Sequence, residues 1–432
     1  MNSIWNNDVK KLIFEQLDGD IKTDVLIIGG GMCGVLCAYM MKDAGVDCVL
    51  VEADRICAGI TNNTTAKITF QHGLIYHKII EKYGIEKAEH YYLSQKDAFV
   101  KLTTLASKLD DDFKWCDSYV YSMKDRKAIE NEIVALNKIG CSAEFCTDTE
   151  LPFNIKGAVK IKKQANFNPL KFVYSIAKKL KIYENTKVLE LMPHTAITNN
   201  GKITANKIVV ATHFPFINKH GGYFLKMYQH RSYVIALKNA VNIKDMYVDE
   251  DKKGLSFRNY NDLILLGGGS HRTGSKGGNW AELEDFAEKH YPEAEKVASW
   301  ATQDCMTLDS IPYIGQYSKA TPDLYVATGF NKWGMTSSMV SAMILKDLIC
   351  GRKNQYVDVY APSRSICHPQ LAVNMFESVK GLLTPAQTRC PHLGCALKYN
   401  KEEHSWDCPC HGSRFEGNGK LINNPATDDM KK

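Results

Sequence analysis

Four side chains between residues 390 and 411 have the types and the spacing of a metal site. Cys390 and His392 lie two positions apart in the stretch CPHLGC, and Cys408 and His411 lie three positions apart in CPCHGS. Fifteen residues separate His392 from Cys408. Two thiolates and two imidazoles can hold a zinc ion or an iron–sulfur cluster. The Pro and Gly residues beside them predict that both pairs lie on loops.

The two loops resemble the ligand loops of the Rieske [2Fe–2S] family. The resemblance covers the order CxH followed by CxxH and the endings HLGC and CHGS. It implies that Cys390 and Cys408 hold one iron while His392 and His411 hold the other. A structural zinc ribbon is the alternative, but zinc ribbons require neither this order of Cys and His nor these endings.

The resemblance to the Rieske family has two further implications for this region. Many Rieske domains have a disulfide that clamps the two loops, which implies a bond between Cys395 and Cys410. Ser413 matches the high-potential members, in which a Ser hydroxyl bonds a bridging sulfide, but Phe415 replaces their usual Tyr. With one hydrogen bond fewer to the ligand sulfur, we expect a potential below respiratory Rieske centres and above thiolate-only ferredoxins.

A βαβ unit is predicted over residues 23–52. The run TDVLII at 23–28 is typical of a strand buried on both faces of a parallel sheet. A helical stretch follows over 35–44, and a second strand over 48–51 ends at Glu52. This order of elements argues against a chance Gly-rich turn.

The turn inside this unit has the glycine spacing of a dinucleotide-binding loop. Gly29 permits a tight turn, Gly31 lets backbone N–H groups approach a pyrophosphate, and Gly34 lets helix and strand pack closely. Glu52 is placed to accept hydrogen bonds from ribose hydroxyls. The motif alone does not choose between FAD and NAD.

Three later stretches resemble the flavoprotein family typified by D-amino-acid and glycine oxidases. The loop 53–67, which includes Thr65, Ala66 and Lys67, matches the region that wraps FAD in that family, although it also reads as an ordinary solvated loop. Val188 matches the position whose backbone clasps the adenine, and 205–213 resembles the second strand of the FAD domain.

A further stretch, near the end of the flavin part, is the strongest match. Residues 324–329 read as a strand that ends at Gly329, and a helix is predicted to open some seven residues later and to cover 337–349. The amides at Trp333, Gly334 and Met335 can then face the electron-rich edge of a reduced flavin. The resemblance makes FAD the cofactor.

The predicted fold class is α/β (α+β overall), with a Rossmann-like FAD-binding domain, a discontinuous substrate domain containing an antiparallel sheet, and a small, shortened all-β Rieske domain. The predicted domains are 20–72, 161–213 and 301–352 for FAD, 73–160 and 214–300 for the substrate, 353–383 as a connector, and 384–432 for the shortened Rieske domain.

Local patterns add detail to these domains. We expect helices over 78–112 and strands over 228–266. Residues 267–269 are three glycines, which we interpret as a turn at a strand end facing the flavin. In the connector, 356–364 is predicted to be an extended strap and 371–383 an amphipathic helix. The Asn-Gly pair at 418–419 predicts a hairpin that closes the Rieske domain.

Composition excludes several classes of protein. A net charge of +6, from 54 basic and 48 acidic residues, gives no reason to expect a nucleic-acid partner. The start does not read as a signal peptide, and no apolar run is long enough to span a membrane. Ten of the fourteen cysteines are scattered before residue 370 without paired spacing, which favours a reducing cytoplasm.

Catalytic residues are harder to predict. Lys67, His271 and Lys332, together with His72 and Arg272, lie on candidate flavin-facing loops, although each also reads as a surface or structural residue.

The carboxylate of Asp304 allows a prediction about the charge of the substrate. Relatives that oxidise amino acids usually have an Arg for the substrate carboxylate where this chain has Asp304. A carboxylate there repels an amino acid's carboxylate, which favours a neutral or cationic substrate.

The combination resembles FAD-dependent oxidoreductases fused to a C-terminal Rieske domain. It predicts a cytoplasmic enzyme that takes a hydride from a small, amine-like donor and passes electrons singly through the cluster to a one-electron carrier or redox protein. One alternative is a reductase with electrons entering at the cluster. Another is a redox-sensing or electron-transfer protein without turnover of its own.

Overall fold

The computed structural model describes residues 3–7, 9–110, 112–217, 220–251, 254–277 and 279–431. A short 3-10 helix covers Ile4–Asn6. The α-helices are α1 (Met32–Asp43), α2 (Ile60–Asn63), α3 (Tyr76–Tyr83), α4 (Ile85–Leu109), α5 (Arg126–Lys138), α6 (Pro169–Ala177), α7 (Tyr223–Lys226), α8 (Asn279–His290), α9 (Gly334–Ile349), α10 (Val357–Tyr360) and α11 (Pro369–Leu383).

The strands of the described residues form three sheets. They are β1 (Ile21–Ile28), β2 (Cys48–Val51), β3 (Lys67–Ile68), β4 (Lys114–Ser122), β5 (Glu144–Cys146), β6 (Gly157–Asn166), β7 (Ile182–Tyr183), β8 (Val188–Met192), β9 (Thr195–Thr198), β10 (Gly201–Val210), β11 (Met227–Lys238), β12 (Met246–Asp249), β13 (Ser256–Tyr260), β14 (Leu263–Arg272), β15 (Glu295–Thr307), β16 (Tyr313–Ser318), β17 (Thr321–Thr328), β18 (Lys398–Asn400), β19 (Ser405–Asp407), β20 (Arg414–Glu416) and β21 (Leu421–Asn423).

The first sheet is the Rossmann-like core. Its order is β16-β17-β10-β1-β2-β7, with β9 and β8 attached at β10. The central strand β1 pairs in parallel with both β10 and β2. Helices α1 and α9 pack together over this core, and Leu26 and Ile27 on opposite faces of β1 are both fully buried. The unbroken apolar run predicted this two-sided burial.

The second sheet is the larger one and is mostly antiparallel. Its order is β15-β11-β14-β13-β12-β4-β6-β3, with β5 attached at β6. The helical stretch predicted over 78–112 corresponds to α3 and α4, and the stranded stretch over 228–266 to β11–β14. The predicted domain boundaries at 160/161 and 300/301 fall inside β6 and β15, which both belong to this sheet.

The interpretation of 267–269 as a turn is wrong, because all three glycines lie within β14. A Cβ on Gly267 would lie 2.7 Å from the Ser256 Oγ of β13, and one on Gly268 would lie 2.9 Å from the Leu283 side chain of α8. The missing side chains therefore let a neighbouring strand and a covering helix approach the sheet closely.

Two further boundaries differ from expectation. Helix α9 begins at Gly334, three residues before the predicted start. The strap predicted over 356–364 is not extended throughout, because α10 forms a helical turn within it. This turn buries Tyr360, whose hydroxyl lies 2.7 Å from the Ser94 Oγ of α4.

The third sheet is small and antiparallel, in the order β18-β19-β20-β21. The predicted hairpin is present between β20 and β21, and Gly419 has a φ of 99° in its turn. The helix predicted over 371–383 is α11. Among the described residues, no helix is both long and apolar enough to cross a membrane.

Candidate active site and metal centre

The four predicted metal ligands lie together at one end of the small sheet. The thiol of Cys390 lies within hydrogen-bonding reach of the thiol of Cys408. The rings of His392 and His411 are 5.1 Å apart between centroids, at 84° to each other. The structure thus brings the two thiols together and the two imidazoles together, which is the pairing that a cluster with two Cys and two His ligands needs.

The chemistry of the imidazoles also suits a cluster. The Nδ1 atom of His411 is buried and makes no hydrogen bond to any residue that the structure describes, which is expected of an atom that binds a metal. Burial lowers the pKa of His392 to about 4 and that of His411 to about 3. Both rings are therefore neutral near pH 7, and neutral imidazole is the form that binds metals.

The proposed disulfide partners lie beside the ligands. The sulfur atoms of Cys395, Cys408 and Cys410 lie within 4.8 Å of one another. The cysteines that the structure describes are all free thiols, so the Cys395–Cys410 bond stays a prediction. Helix α11 covers this group closely, because a Cβ on Gly381 would collide with the Cys410 sulfur.

A cavity of about 1540 Å³ lies at the boundary of the two large sheets. It exceeds the roughly 300–1,000 Å³ of most ligand sites and has room for a dinucleotide together with a substrate. Nine of the predicted FAD contacts line it: Gly29, Gly31, Glu52, Thr65, Lys67, Val188, Trp333, Gly334 and Met335. The other three, Gly34, Ala66 and Gly329, do not.

The first turn of the Rossmann-like sheet has the features of a dinucleotide loop. A Cβ on Gly29 would lie 2.6 Å from the Ala211 carbonyl oxygen, and one on Gly34 would collide with the Gly29 carbonyl. Glu52 accepts a hydrogen bond from the Gly30 N–H at 2.6 Å. Glycine is thus required by close packing, and the Glu52 side chain lines the cavity, as expected of an acid that accepts hydrogen bonds from a ribose.

Arg258 of β13 holds the loop before Lys67. Its Nη1 donates to the carbonyl oxygens of Thr65 at 2.7 Å and Ala66 at 2.8 Å. Ala66 has a φ of 52°, so the guanidinium stabilises a left-handed conformation that Ala rarely adopts. Burial and the nearby Arg258 charge lower the pKa of Lys67 to about 7. Sequence reasoning missed Arg258, because nothing local marks an arginine that acts on a loop so distant in the chain.

The cavity wall opposite the dinucleotide loop comes from β11 and β15. His230 of β11 pairs with Asp304 of β15, and both half-buried side chains line the cavity. Burial lowers the pKa of His230 to about 3, so this ring is neutral. Burial also raises the pKa of Asp304, although Lys332 opposes the shift. The Nζ of Lys332 donates to Ser270 Oγ at 2.6 Å on the same wall.

The remaining catalytic candidates differ in position. His72 lines the cavity and stacks on Trp333 with centroids 5.1 Å apart. His271 does not line it and instead stacks on Tyr233 at 5.7 Å. Arg272 contacts the second ligand loop, since it donates at 3.0 Å to the carbonyls of Pro409 and Cys410.

The other face of the same two strands holds the second ligand loop. Gln229 of β11 donates through Nε2 to the His411 carbonyl at 2.9 Å. Gln303 of β15 donates to the Gly412 carbonyl at 2.8 Å and to Gln229 Oε1 at 2.6 Å. Both glutamines are buried. Because side chains alternate along a strand, one strand pair contacts the cavity with His230 and the ligand loop with Gln229.

A buried ionic network anchors the small sheet to the second sheet. Arg231 of β11 pairs with Glu403, which also accepts from Arg414 Nη2 at 2.8 Å. Arg414 Nε lies 2.9 Å from Asp407 Oδ1. Burial acts to raise the pKa of Glu403, but Arg231 and Arg414 hold it below its usual value. The ligand loops are therefore fixed against the cavity wall by paired charges as well as by amides.

These features define a flavoprotein with a built-in iron–sulfur domain. Residues 24–348 match the family described as FAD dependent oxidoreductase, and residues 357–432 match the Rieske [2Fe-2S] domain. The second match includes α10 and α11, which the sequence analysis assigned to the connector. The chain belongs to the FAD dependent oxidoreductase family, and its cofactors are FAD and a [2Fe–2S] cluster.

Similar proteins agree with this assignment. YhfW of Bacillus subtilis (strain 168), named as a Rieske 2Fe-2S iron-sulfur protein, is 32% identical over 99% of this chain and 96% of its own. L-proline dehydrogenase from P. horikoshii has the same fold over 81% of this chain and 98% of its own, with a TM-score of 0.68 and 20% identity. The cytochrome b6-f complex iron-sulfur subunit of Synechococcus sp. (strain JA-3-3Ab) is 51% identical over 42 residues, which cover 10% of this chain and 24% of that subunit.

Proposed function

We propose that this oxidoreductase removes a hydride from a small, amine-bearing donor and passes the electrons singly to a carrier. Bound FAD takes two electrons together, whereas a [2Fe–2S] cluster passes one at a time. We assign FAD contacts to the nine predicted residues that line the cavity. We assign cluster ligation to Cys390, His392, Cys408 and His411.

The observation that carries the choice of donor is Asp304 on the cavity wall. Its carboxylate is half-buried and lines the cavity beside the neutral His230 ring. A carboxylate in a partly desolvated site attracts an ammonium group and repels a substrate carboxylate. His230 can accept a hydrogen bond from the donor nitrogen, because its pKa of about 3 keeps it unprotonated.

The direction of electron flow is part of the same proposal. The ligand loop and the cavity wall are joined through Gln229 and Gln303, which suits electron transfer without movement of a domain. The name L-proline dehydrogenase of the structural relative supports an amine nitrogen in the donor, whereas the carboxylate of proline is the group that Asp304 would repel. A reducing cytoplasm suits the free thiols of the described cysteines.

Anaerobic spectroscopy tests the donor. The purified protein is mixed with primary and secondary amines and, separately, with amino acids, and bleaching of the flavin absorption is recorded. We expect amines to bleach the flavin faster than the corresponding amino acids. Asp304→Asn should reduce this preference, whereas Glu295→Gln, at the exposed far end of the same strand, should leave it unchanged. Inertness to all donors together with rapid flavin reduction by reduced ferredoxin would favour the reverse direction and contradict the proposal.

A further inference from the structure

Helix α11 has one apolar face that is exposed. We call it the α11 face and define it by Val373, Phe376, Val379, Leu382 and Leu383. Phe376 is 65% exposed and Leu383 is 77% exposed. Large apolar side chains on one side of a helix are normally buried against another surface.

The opposite side of α11 covers the cluster loops. Asn374 is buried there, and Ser378 Oγ lies 3.5 Å from His411 Nε2. The sulfur of Cys410 lies 3.6 Å from the Glu377 carbonyl, and Gly381 has no room for a side chain beside it. Only the thickness of one helix, about 10 Å, therefore separates the α11 face from the second ligand loop.

The α11 face also continues onto the first ligand loop. The Leu382 side chain lies 3.9 Å from the position of a Cβ on Gly394. Leu393, which follows the ligand His392, is 40% exposed. His392 itself is half-buried, so the edge of this surface reaches a cluster ligand.

The charges beside the α11 face are mainly basic. Lys380 is exposed on the helix. Arg389 is also exposed, and it donates to the Gly394 carbonyl at 2.8 Å. Glu377, half-buried, is the acidic residue of the same helix. An apolar centre with a basic rim is complementary to a partner whose own apolar patch has an acidic rim.

We propose that the α11 face is the docking surface for an acidic, one-electron carrier protein. This inference rests on the proposed function, since it names the partner that takes the electrons. With the cluster bound and reduced, the docked carrier would accept one electron per encounter, which would oxidise the cluster by one electron and reduce the carrier by one. A second copy of this chain fits less well, because it would bring two basic rims together.

Two exposed positions allow a test in the full-length protein loaded with both cofactors. Phe376→Gln removes the apolar centre and Lys380→Glu reverses the rim charge. Matched controls on α4 are Val100→Gln, at a residue 54% exposed, and Lys101→Glu, at an exposed lysine. The protein is reduced with dithionite, freed of excess reductant, and mixed anaerobically with oxidised cytochrome b5, which is acidic, or cytochrome c, which is basic. Ferrocenium serves as an acceptor that needs no docking surface.

We expect cytochrome b5 to be reduced faster than cytochrome c, and more slowly as salt is added. Each α11 variant should lower the cytochrome b5 rate and weaken its binding by about tenfold, while both controls and the ferrocenium rate stay unchanged. Native rates with cytochrome b5 in both variants would overturn the proposal. A native dimer in sedimentation that Phe376→Gln dissociates would also overturn it, in favour of a second copy. Because dithionite supplies the electrons, failure of amines to reduce the flavin would contradict the proposed function and leave this result intact.

Discussion

Gln303 donates a hydrogen bond from its Nε2 to the backbone carbonyl of Gly412 at 2.8 Å. The next residue on the same strand, Asp304, lines the cavity, and the residue before Gly412 is His411, a proposed cluster ligand. The hydrogen bond therefore joins a sequence neighbour of Asp304, on the cavity wall, to a sequence neighbour of His411, on the second ligand loop.

Gln303→Leu should loosen the second ligand loop. The substitution leaves the buried Gly412 carbonyl and Gln229 Oε1 without this donor, and an unsatisfied buried group costs about 1–3 kcal/mol. We expect a lower urea midpoint for loss of the cluster absorption and a broadened EPR signal of the reduced cluster. The control Gln316→Leu replaces an exposed glutamine and should match the native protein. An unchanged EPR spectrum and midpoint in Gln303→Leu would show that this bond does not position the loop.

Arg231→Met should release the small sheet from the second sheet. Glu403 then loses one of its two buried arginine partners, and breaking a buried ion pair costs about 3–5 kcal/mol. We expect faster proteolysis between α9 and α11 and earlier loss of iron on heating. Lys124→Met removes an exposed pair with Asp251 and should change stability by less than about 1 kcal/mol. Equal protease resistance in the Arg231 and Lys124 variants would contradict the anchoring role.

Lys67 should make the stability of the FAD-free protein depend on pH. Its pKa is lowered from 10.5 to about 7 in the folded state, so the unfolded chain binds more protons between these values and stability rises with pH across that window. Lys67→Met should therefore increase the free energy of unfolding most below pH 7. The difference in this free energy between the variant and the native protein should vanish towards pH 10.5. Urea unfolding at several pH values measures this free energy for both proteins, with Lys101→Met as the control at an exposed lysine. A difference that does not vary with pH would refute the shift.

Phe415→Tyr should raise the reduction potential of the cluster. Phe415 is fully buried in the core of the small sheet, and a hydroxyl there can supply the hydrogen bond that high-potential Rieske centres have and this chain lacks. Redox titration followed by EPR measures the change. A potential equal to or below that of the native protein would mean that the new hydroxyl does not reach a ligand sulfur.

Local patterns were sufficient for much of the fold. The apolar run of β1, the glycines of the first turn and the strand that ends at Glu52 all act within a few residues of one another, so the sequence predicted the unit correctly. Cys390 and His392 could be proposed as ligands for the same reason, since a short loop keeps residues two positions apart close together. Helix α11 was also predicted within two residues at its start.

What the sequence could not predict depends on contacts between distant residues. The glycines of β14 resemble a turn, and only the close approach of α8 explains them as part of a strand. The bonds from Gln229 and Gln303 to the ligand loop join residues more than a hundred positions apart. No local pattern distinguishes these glutamines from others on a half-buried strand, because their role is created by the packing of the small sheet.

The most direct test of the account is an anaerobic stopped-flow measurement with the best amine donor and no acceptor. We predict that bleaching of the flavin comes first, and that reduction of the cluster, read from its visible absorption and from EPR of rapidly frozen samples, follows within the same turnover. Addition of cytochrome b5 should then reoxidise both. Flavin bleaching with a cluster that stays oxidised, so that only added oxygen reoxidises the flavin, would contradict the claim that electrons leave through the cluster.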